Sequence, residues 1–204
     1  MCRFLHIFCV IFIIKTIRGF LLRTLLFTLF FSGLDHIQAA QTRSLSYVSA
    51  GQEMEGFVAT PDLSDGEFRP GVLLIHDWTG LQGYAKQRAR RIADELGYVS
   101  FAADVYGKGV RPENPNECGV QAGIYRGDRT LFRQRLNDAL AQLRALPGCQ
   151  PDQILAIGYC FGGAVSLRMA QRGSDLDGVV AFHGALPIEP DNSKGKITAS
   201  ILVV

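Results

Sequence analysis

The residues best suited to chemistry lie at 158–163, which read G-Y-C-F-G-G and place a cysteine between spaced glycines. The apolar run at 154–157 is typical of a short buried strand, and the residues after the glycines have helical composition and spacing. At such a corner the central residue is strained, and a side chain two positions before or after it would collide across the turn. Gly158 and Gly162 avoid that collision, so the pattern favours Cys160 as a nucleophile over a small buried cysteine.

This corner resembles the nucleophile elbow of α/β-hydrolases, with cysteine where serine is usual. More closely, it resembles the dienelactone hydrolases, whose elbow commonly reads G-Y-C-x-G-G, and the resemblance extends from about Met54 to the last residue. The resemblance implies an α/β-hydrolase fold with a mostly parallel sheet and helices on both faces. It also implies that the protein hydrolyses carboxylic esters or lactones of small molecules through Cys160.

A nucleophilic cysteine needs neighbouring groups that ionise its thiol. A cysteine attacks a carbonyl group as its thiolate, so a base or a positive neighbour must favour the charged form. In α/β-hydrolases the acid and the histidine follow the nucleophile, and in the dienelactone hydrolases they lie on loops after later strands. Here only His183 follows Cys160, at the end of the very next strand, so we interpret it as lining a strand end. We expect the acid and the base beyond Val204, and the 204-residue chain to be inactive without them.

The apolar strand that ends at His76 leads into the segment that supplies an oxyanion-hole amide in this fold. We therefore predict that the backbone N–H groups of Trp78 and Phe161 bind the developing oxyanion, and that His76 orients their loop. Asp77 occupies the place of a glutamate that contacts the resting nucleophile in dienelactone hydrolases. The resemblance implies a carboxylate near Cys160, and a solvated or structural aspartate is the alternative.

The segment 108–128 is rich in Pro, Gly and Asn, and its length predicts an irregular functional loop. It contains Arg111 and Arg126, but the arginines that bind the substrate carboxylate in the family find no residue-by-residue match here. Both therefore stay unassigned. The sequence has no metal-ligand cluster and no phosphate-binding loop, so we expect no metal and no cofactor.

Strands and helices that alternate along the chain are expected to hold the corner in place. The predicted strands lie at 45–48, 54–60, 71–76, 98–102, 154–157 and 176–182, and the predicted helices at 84–96, 130–146 and from 164 onward. The first two strands flank Ala50-Gly51 as an antiparallel hairpin. A last apolar run from Ile197 looks like the start of a core strand, so we expect the domain at 41–204 to be truncated at its carboxyl end.

The amino-terminal residues 1–40 predict export. Two apolar runs are separated by Lys15 and Arg18, and the second is followed by the small-residue cleavage pattern at 37–40, as in a secretory signal. We expect a mature chain that starts at Ala40 or Gln41, in the periplasm or secreted. The alternative is an uncleaved membrane anchor, and a misassigned start codon would explain the first run. The net charge of +2 argues against a nucleic-acid partner, and a membrane would be met only through this segment.

The cysteines of the predicted mature chain indicate a possible disulfide and suggest a second class of function. An exported protein with Cys118, Cys149 and Cys160 in its mature part suggests one pair and one free thiol, with Cys118 and Cys149 as the pair; three reduced cysteines are the alternative. The alternative to an ester hydrolase is a non-catalytic or redox-sensing domain that keeps the α/β-hydrolase fold and has lost the acid and the histidine.

Overall fold

A computed structural model of the chain describes residues 39–186 and 196–204. The predicted export segment lies outside the described residues as far as position 38. Within the described part the strands are β1 (Gln41–Ser49), β2 (Gln52–Thr60), β3 (Arg69–Ile75), β4 (Val99–Ala103), β5 (Cys149–Tyr159), β6 (Gly178–Phe182) and β7 (Ser200–Val203). The helices are α1 (Gly83–Leu96), α2 (Pro115–Gly127), α3 (Arg129–Arg144) and α4 (Phe161–Gln171).

The seven strands form one sheet in the order β1-β2-β4-β3-β5-β6-β7. The β1–β2 and β2–β4 pairs are antiparallel, and the pairs from β4 through β3, β5 and β6 to β7 are parallel. The predicted hairpin and the mostly parallel sheet are therefore confirmed. Parallel neighbours matter for function because their carboxyl ends meet at one edge, where ligands bind in open α/β sheets.

Both faces of the sheet are covered by helices, as predicted. Leu74 of β3 belongs to a core cluster that includes Ala85 and Ala89 of α1. Its neighbour Leu73 belongs to a second cluster, which contains buried residues of α2, α3 and α4. Successive side chains of a strand point to opposite faces, so a continuously apolar β3 is what burial on both sides requires. No helix of the described residues is both long enough and apolar enough to cross a bilayer.

The predicted irregular loop at 108–128 is wrong, because most of it is the helix α2. The Asn114 side chain accepts a hydrogen bond from the Glu117 N–H at 3.1 Å, and the Glu117 carboxylate accepts one from the Glu113 N–H at 2.9 Å. This reciprocal capping, with Pro115 in the first turn, starts the helix. Its buried residues Cys118, Ala122 and Tyr125 recur at helical spacing.

The predicted pairing of Cys118 with Cys149 is also wrong, since both are free, buried thiols. Cys149 lies opposite Arg69, at the amino end of the parallel strands. Cys118 lies near Tyr106, a residue just beyond the carboxyl end of β4. The two are close enough for their electrostatic interaction to raise the Tyr106 pKa. Seven residues of β3 separate these two edges by roughly 20 Å, far beyond disulfide reach. Burial raises the pKa of Cys149 to about 11, which keeps it a protonated thiol.

Candidate active site

Cys160 stands alone between β5 and α4 and has φ 52° and ψ −111°. A positive φ is unfavourable for a side chain with a Cβ and costs about 1–3 kcal/mol. Neighbouring elements hold it in place: the Cys160 N–H donates to Phe182 O at 2.9 Å, and its carbonyl accepts from the Ala164 N–H at 3.1 Å. The predicted corner of strand, cysteine and helix is thus confirmed, whereas the role of Cys160 as nucleophile stays a prediction.

The two spaced glycines have the steric role that the sequence indicated. A Cβ on Gly158 would overlap the carbonyl group of Gly162, and a Cβ on Gly162 would overlap the carbonyl oxygen of Ile75. Both obstacles are backbone atoms, which no change of rotamer can move. The glycines therefore let the first turn of α4 lie directly against β5 and the end of β3.

The loop after β3 lies beside this corner. β3 and β5 are parallel neighbours with Ile75 opposite Gly158, so the segments that follow the two strands leave the sheet side by side. The Phe161 ring stacks on the His76 ring with 6.5 Å between centroids. Phe161 begins α4, so its N–H has no intrahelical acceptor. Among residues 39–186 and 196–204, neither the Phe161 nor the Trp78 N–H makes a hydrogen bond, as an oxyanion hole requires, and their role stays a prediction.

Asp77 makes the contacts of a loop-forming aspartate. Its Oδ1 accepts hydrogen bonds from the Thr79 N–H at 2.8 Å and from the Thr79 hydroxyl at 2.5 Å. The Asp77 carbonyl closes the same turn by accepting from the Gly80 N–H at 3.3 Å. These contacts favour the structural alternative for Asp77. The contact with Cys160 that the resemblance implied stays a prediction.

His76 connects the loop to the residues after β4. Its ring is buried, its Nε2 accepts the Val105 N–H at 3.3 Å, and its Nδ1 lies 2.6 Å from the Asp77 carbonyl oxygen. Because Nε2 is the acceptor, we assign the proton to Nδ1, which donates to Asp77. Burial lowers the His76 pKa, so the ring is neutral. These contacts agree with the interpretation of His76 as a loop-orienting residue, and they leave neither nitrogen for proton transfer.

We predict that His76 makes stability depend on pH. The unfolded chain takes up a proton at the ordinary histidine pKa of about 6.5, whereas the folded ring resists it. The His76 contribution to the free energy of unfolding should therefore be constant above that pH and fall below it, by at most about 1.4 kcal/mol per pH unit. Urea denaturation at several pH values should show a smaller fall for His76→Asn than for the wild type. Equal slopes would contradict a neutral, buried His76.

A cavity of about 460 Å³ opens in front of Cys160. Its apolar lining comes from two aromatic rings and four aliphatic side chains, Phe132, Phe161, Ala164, Val165, Ala185 and Leu186. Arg126 and Arg168 add positive charge, with the Arg126 guanidinium 5.7 Å from the centroid of the Phe161 ring. Arg111 lies elsewhere and donates to the Gly107 and Val110 carbonyls at 3.0 and 2.7 Å. Of the two unassigned arginines, Arg126 is therefore the one at the site.

His183 lies at the end of β6, as expected of a histidine lining a strand end. Its side chain is exposed, its φ is 40°, and its N–H donates to Val204 O at 2.7 Å. The described residues contain one other histidine, His76, whose ring nitrogens are both engaged. Within residues 39–186 and 196–204, no histidine paired with an acid contacts Cys160.

Sequence reasoning missed Tyr106, which follows β4 by three positions. Its hydroxyl donates to the Trp78 carbonyl at 2.9 Å, and its ring stacks on Tyr125 at 5.3 Å between centroids. It also missed Arg135, a buried guanidinium that donates to the Val105 carbonyl and to the Tyr125 hydroxyl. The available signal was the position of Tyr106 just beyond a parallel strand. A buried arginine on a helix had no such signal.

The described residues contain no group of three or more His, Cys, Asp or Glu side chains that could hold a metal ion.

Comparisons with known proteins agree with this geometry. The chain is 32% identical over 145 residues to "Protein usf" of Aquifex pyrophilus, covering 66% of this chain and 58% of that protein. A dienelactone hydrolase-like promiscuous phosphotriesterase from metagenomic libraries superposes with a TM-score of 0.76 at 36% identity, and the structure named m3DLH with 0.76 at 32%. Each superposition covers 81% of this chain and 68% of the other. The dienelactone hydrolase family profile matches residues 54–204, so the chain belongs to that family.

Proposed function

We propose that this protein hydrolyses carboxylic esters or lactones with Cys160 as the nucleophile. The observation that carries the proposal is the position of Cys160, which has a positive φ at the start of α4 and lines the 460 Å³ cavity. A strained residue is maintained only where the surrounding structure enforces it, and such strain concentrates at functional sites. A merely structural cysteine at a strand end would need neither the strain nor the cavity.

The residues around Cys160 suggest how the reaction begins. The thiolate adds to the carbonyl carbon, and the carbonyl oxygen takes the negative charge. The N–H groups of Trp78 and Phe161 then bind this oxyanion, and the amino terminus of α4 favours the same charge. As the tetrahedral intermediate collapses, the bond to the alcohol oxygen breaks, the alkoxide leaves and takes a proton from water, and a thioester remains on Cys160. Losing one oxyanion donor typically costs about 2.7–4 kcal/mol of transition-state stabilisation.

The cavity indicates the kind of ester. Its walls are mainly apolar and its size suits a small molecule. Arg126 places a guanidinium group on the lining, which favours an ester or lactone that also carries a negative charge. We therefore propose small, partly apolar, anionic esters or lactones as the substrate class.

The proposal predicts which of the three thiols in the described residues an activated ester modifies. Cys160 is half-buried and lines the cavity, whereas Cys118 and Cys149 are buried. With p-nitrophenyl acetate in slight excess, we expect one acetyl group among these three thiols, on Cys160, formed at least roughly a hundredfold faster than on the two buried ones. Mass spectrometry of the intact chain and of its peptides measures both the number and the site.

Prior alkylation of Cys160 with iodoacetamide is the matched control, and it should prevent acetylation. Acetylation of Cys118 or Cys149 at a comparable rate would remove the argument for a catalytic corner. A chain whose Cys160 reacts with iodoacetamide but never with the ester would support the alternative, a non-catalytic domain with an accessible thiol.

A further inference from the structure

Trp78, whose N–H is the proposed oxyanion donor of the β3 loop, lies between two backbone carbonyls that side chains hold. His76 Nδ1 lies 2.6 Å from the Asp77 carbonyl oxygen, just before it. The Tyr106 hydroxyl donates to the Trp78 carbonyl oxygen at 2.9 Å, just after it. His76 thus holds the peptide unit before Trp78, and Tyr106 holds the peptide unit after it.

The first hydrogen bond fixes the direction of the donor itself. The Asp77 carbonyl and the Trp78 N–H belong to one peptide unit, and the described residues contain no cis peptide bond. In a planar trans unit the C=O and N–H bonds point in opposite directions. Holding the Asp77 oxygen towards His76 therefore turns the Trp78 N–H away from His76. The second hydrogen bond fixes the next peptide unit, so that the φ and ψ of Trp78 cannot drift independently.

We propose that Tyr106 is a positioning residue that, together with His76, aims the Trp78 N–H at the oxyanion. The inference rests on the proposed function, because it assigns a purpose to a donor of that reaction. Tyr106 would touch neither the substrate nor the nucleophile. It would act only through the backbone of Trp78.

Tyr106 is itself firmly held, as a positioning residue must be. Its side chain is 1% exposed, and its ring meets the His76 ring edge-on at 4.8 Å between centroids. Its carbonyl accepts the Tyr125 hydroxyl at 3.2 Å. A Cβ on Gly80 would lie 3.1 Å from the Tyr106 ring, so the glycine lets the loop approach closely. Burial raises the Tyr106 pKa, which keeps its hydroxyl a donor.

Without the hydrogen bond from Tyr106, the backbone of the β3 loop at Trp78 would be more mobile. The Trp78 side chain is 37% exposed, so burial of the indole does little to fix the backbone. The Asp77 side chain and the Gly80 N–H hold the turn, but the Tyr106 hydroxyl is the one described partner of the Trp78 carbonyl, so that peptide unit can rotate once this bond is lost. Preorganised donors are effective because they need no reorganisation during the reaction. Removing the Tyr106 hydroxyl should therefore weaken the oxyanion hole while leaving the thiol in place.

The test compares two reactions of the same thiol in wild type and Tyr106→Phe. Acetylation by p-nitrophenyl acetate passes through an oxyanion, whereas alkylation by iodoacetamide displaces iodide at carbon and forms none. We expect Tyr106→Phe to lower the acetylation rate constant roughly tenfold, a part of the 10²–10³ that loss of a whole donor costs. The alkylation rate constant should change by less than about twofold, since Cys160 and its access are unaltered.

Ser49→Ala is the matched control. Ser49 is also buried, and its hydroxyl donates to the Asp138 carboxylate at 2.6 Å, but it contacts neither the β3 loop nor the residues that hold it. Both rate constants should be unchanged in this variant. An equal fall of both rates in Tyr106→Phe, or no change in either, would overturn the inference while wild-type acetylation still supports the proposed function. A wild type that is not acetylated at Cys160 would overturn both.

A second pair of variants tests the hydrogen bond from His76 to the Asp77 carbonyl. This test remains informative if Tyr106→Phe folds poorly. His76→Asn keeps an amide N–H near the position of Nδ1, whereas His76→Leu has no donor. We expect acetylation relative to alkylation to be at least severalfold faster in His76→Asn than in His76→Leu. Equal ratios would show that the His76 donor does not orient the Trp78 N–H, and would overturn the inference.

Discussion

Gly158→Ala should destabilise the protein by at least about 3 kcal/mol and stop the acetylation of Cys160. The added Cβ would overlap the carbonyl group of Gly162 and approach the Gly163 nitrogen. Those atoms form the first turn of α4, so relief requires α4 to move away from β5. That movement would also displace the Phe161 N–H from the oxyanion position. Urea denaturation followed by circular dichroism measures the first effect, and mass spectrometry after ester treatment measures the second.

The same substitution at Gly123 provides the control. Gly123 lies on the exposed side of α2, and a Cβ there meets nothing within 4 Å. Alanine is a better helix former than glycine, so Gly123→Ala should stabilise the protein by about 0.5–1 kcal/mol and leave acetylation unchanged. A Gly158→Ala variant as stable and as reactive as the wild type would show that this corner has no steric need for glycine.

The corner was predictable because its requirements are local. The collisions that exclude a side chain at Gly158 and Gly162 arise from the turn itself, and the adjoining strand and helix carry their own hydrophobic patterns. The continuous apolar run of β3 likewise predicted a strand buried on both faces, since nothing but burial explains such a run. Fold class and the position of Cys160 therefore followed from short stretches of sequence.

Two errors had different physical origins. The helix α2 was missed because proline and asparagine were interpreted as loop residues, although Asn114-Pro115 and Glu117 together form a helix start. The signal was present and local. The pairing of Cys118 with Cys149 failed for another reason: both segments looked like loops, and nothing in the sequence showed that they lie at opposite edges of the sheet. That information exists only in the folded topology.

Two contacts between the loops of the candidate site could not be predicted from the sequence because they are long-range. The hydrogen bond between Tyr106 and the Trp78 carbonyl spans 28 positions, and the one between Val105 and His76 spans 29. No periodic pattern predicts a contact between two loops that meet only when parallel strands align. Asp77 shows the complementary limit: its residue type implied a carboxylate near the nucleophile, whereas its geometry uses that carboxylate in a turn.

The contacts of the two described histidines bear on whether the reaction goes beyond acylation. Hydrolysis of the thioester needs a base to activate water, and triad members act as a unit. The His76 ring already donates to Asp77 and accepts from Val105, and the described polar contact of His183 is made by its backbone. With the His76 ring engaged and His183 interpreted as lining a strand end, the described residues provide the proposed nucleophile and oxyanion donors but no assigned base for the second half of the reaction.

The 204-residue chain should therefore release one equivalent of p-nitrophenol per Cys160 and then stall, with a steady-state rate at least roughly a thousandfold below that of the burst. Added imidazole should restore turnover, because its nitrogen attacks the thioester carbonyl, the Cys160 thiolate leaves, and the acylimidazole hydrolyses in water. Cys160→Ala should show neither the burst nor any rate above the reaction of imidazole alone. His183→Ala should match the wild type in both phases. Rapid turnover without imidazole that is lost in His183→Ala would identify His183 as the base and contradict its interpretation as a residue that merely lines a strand end.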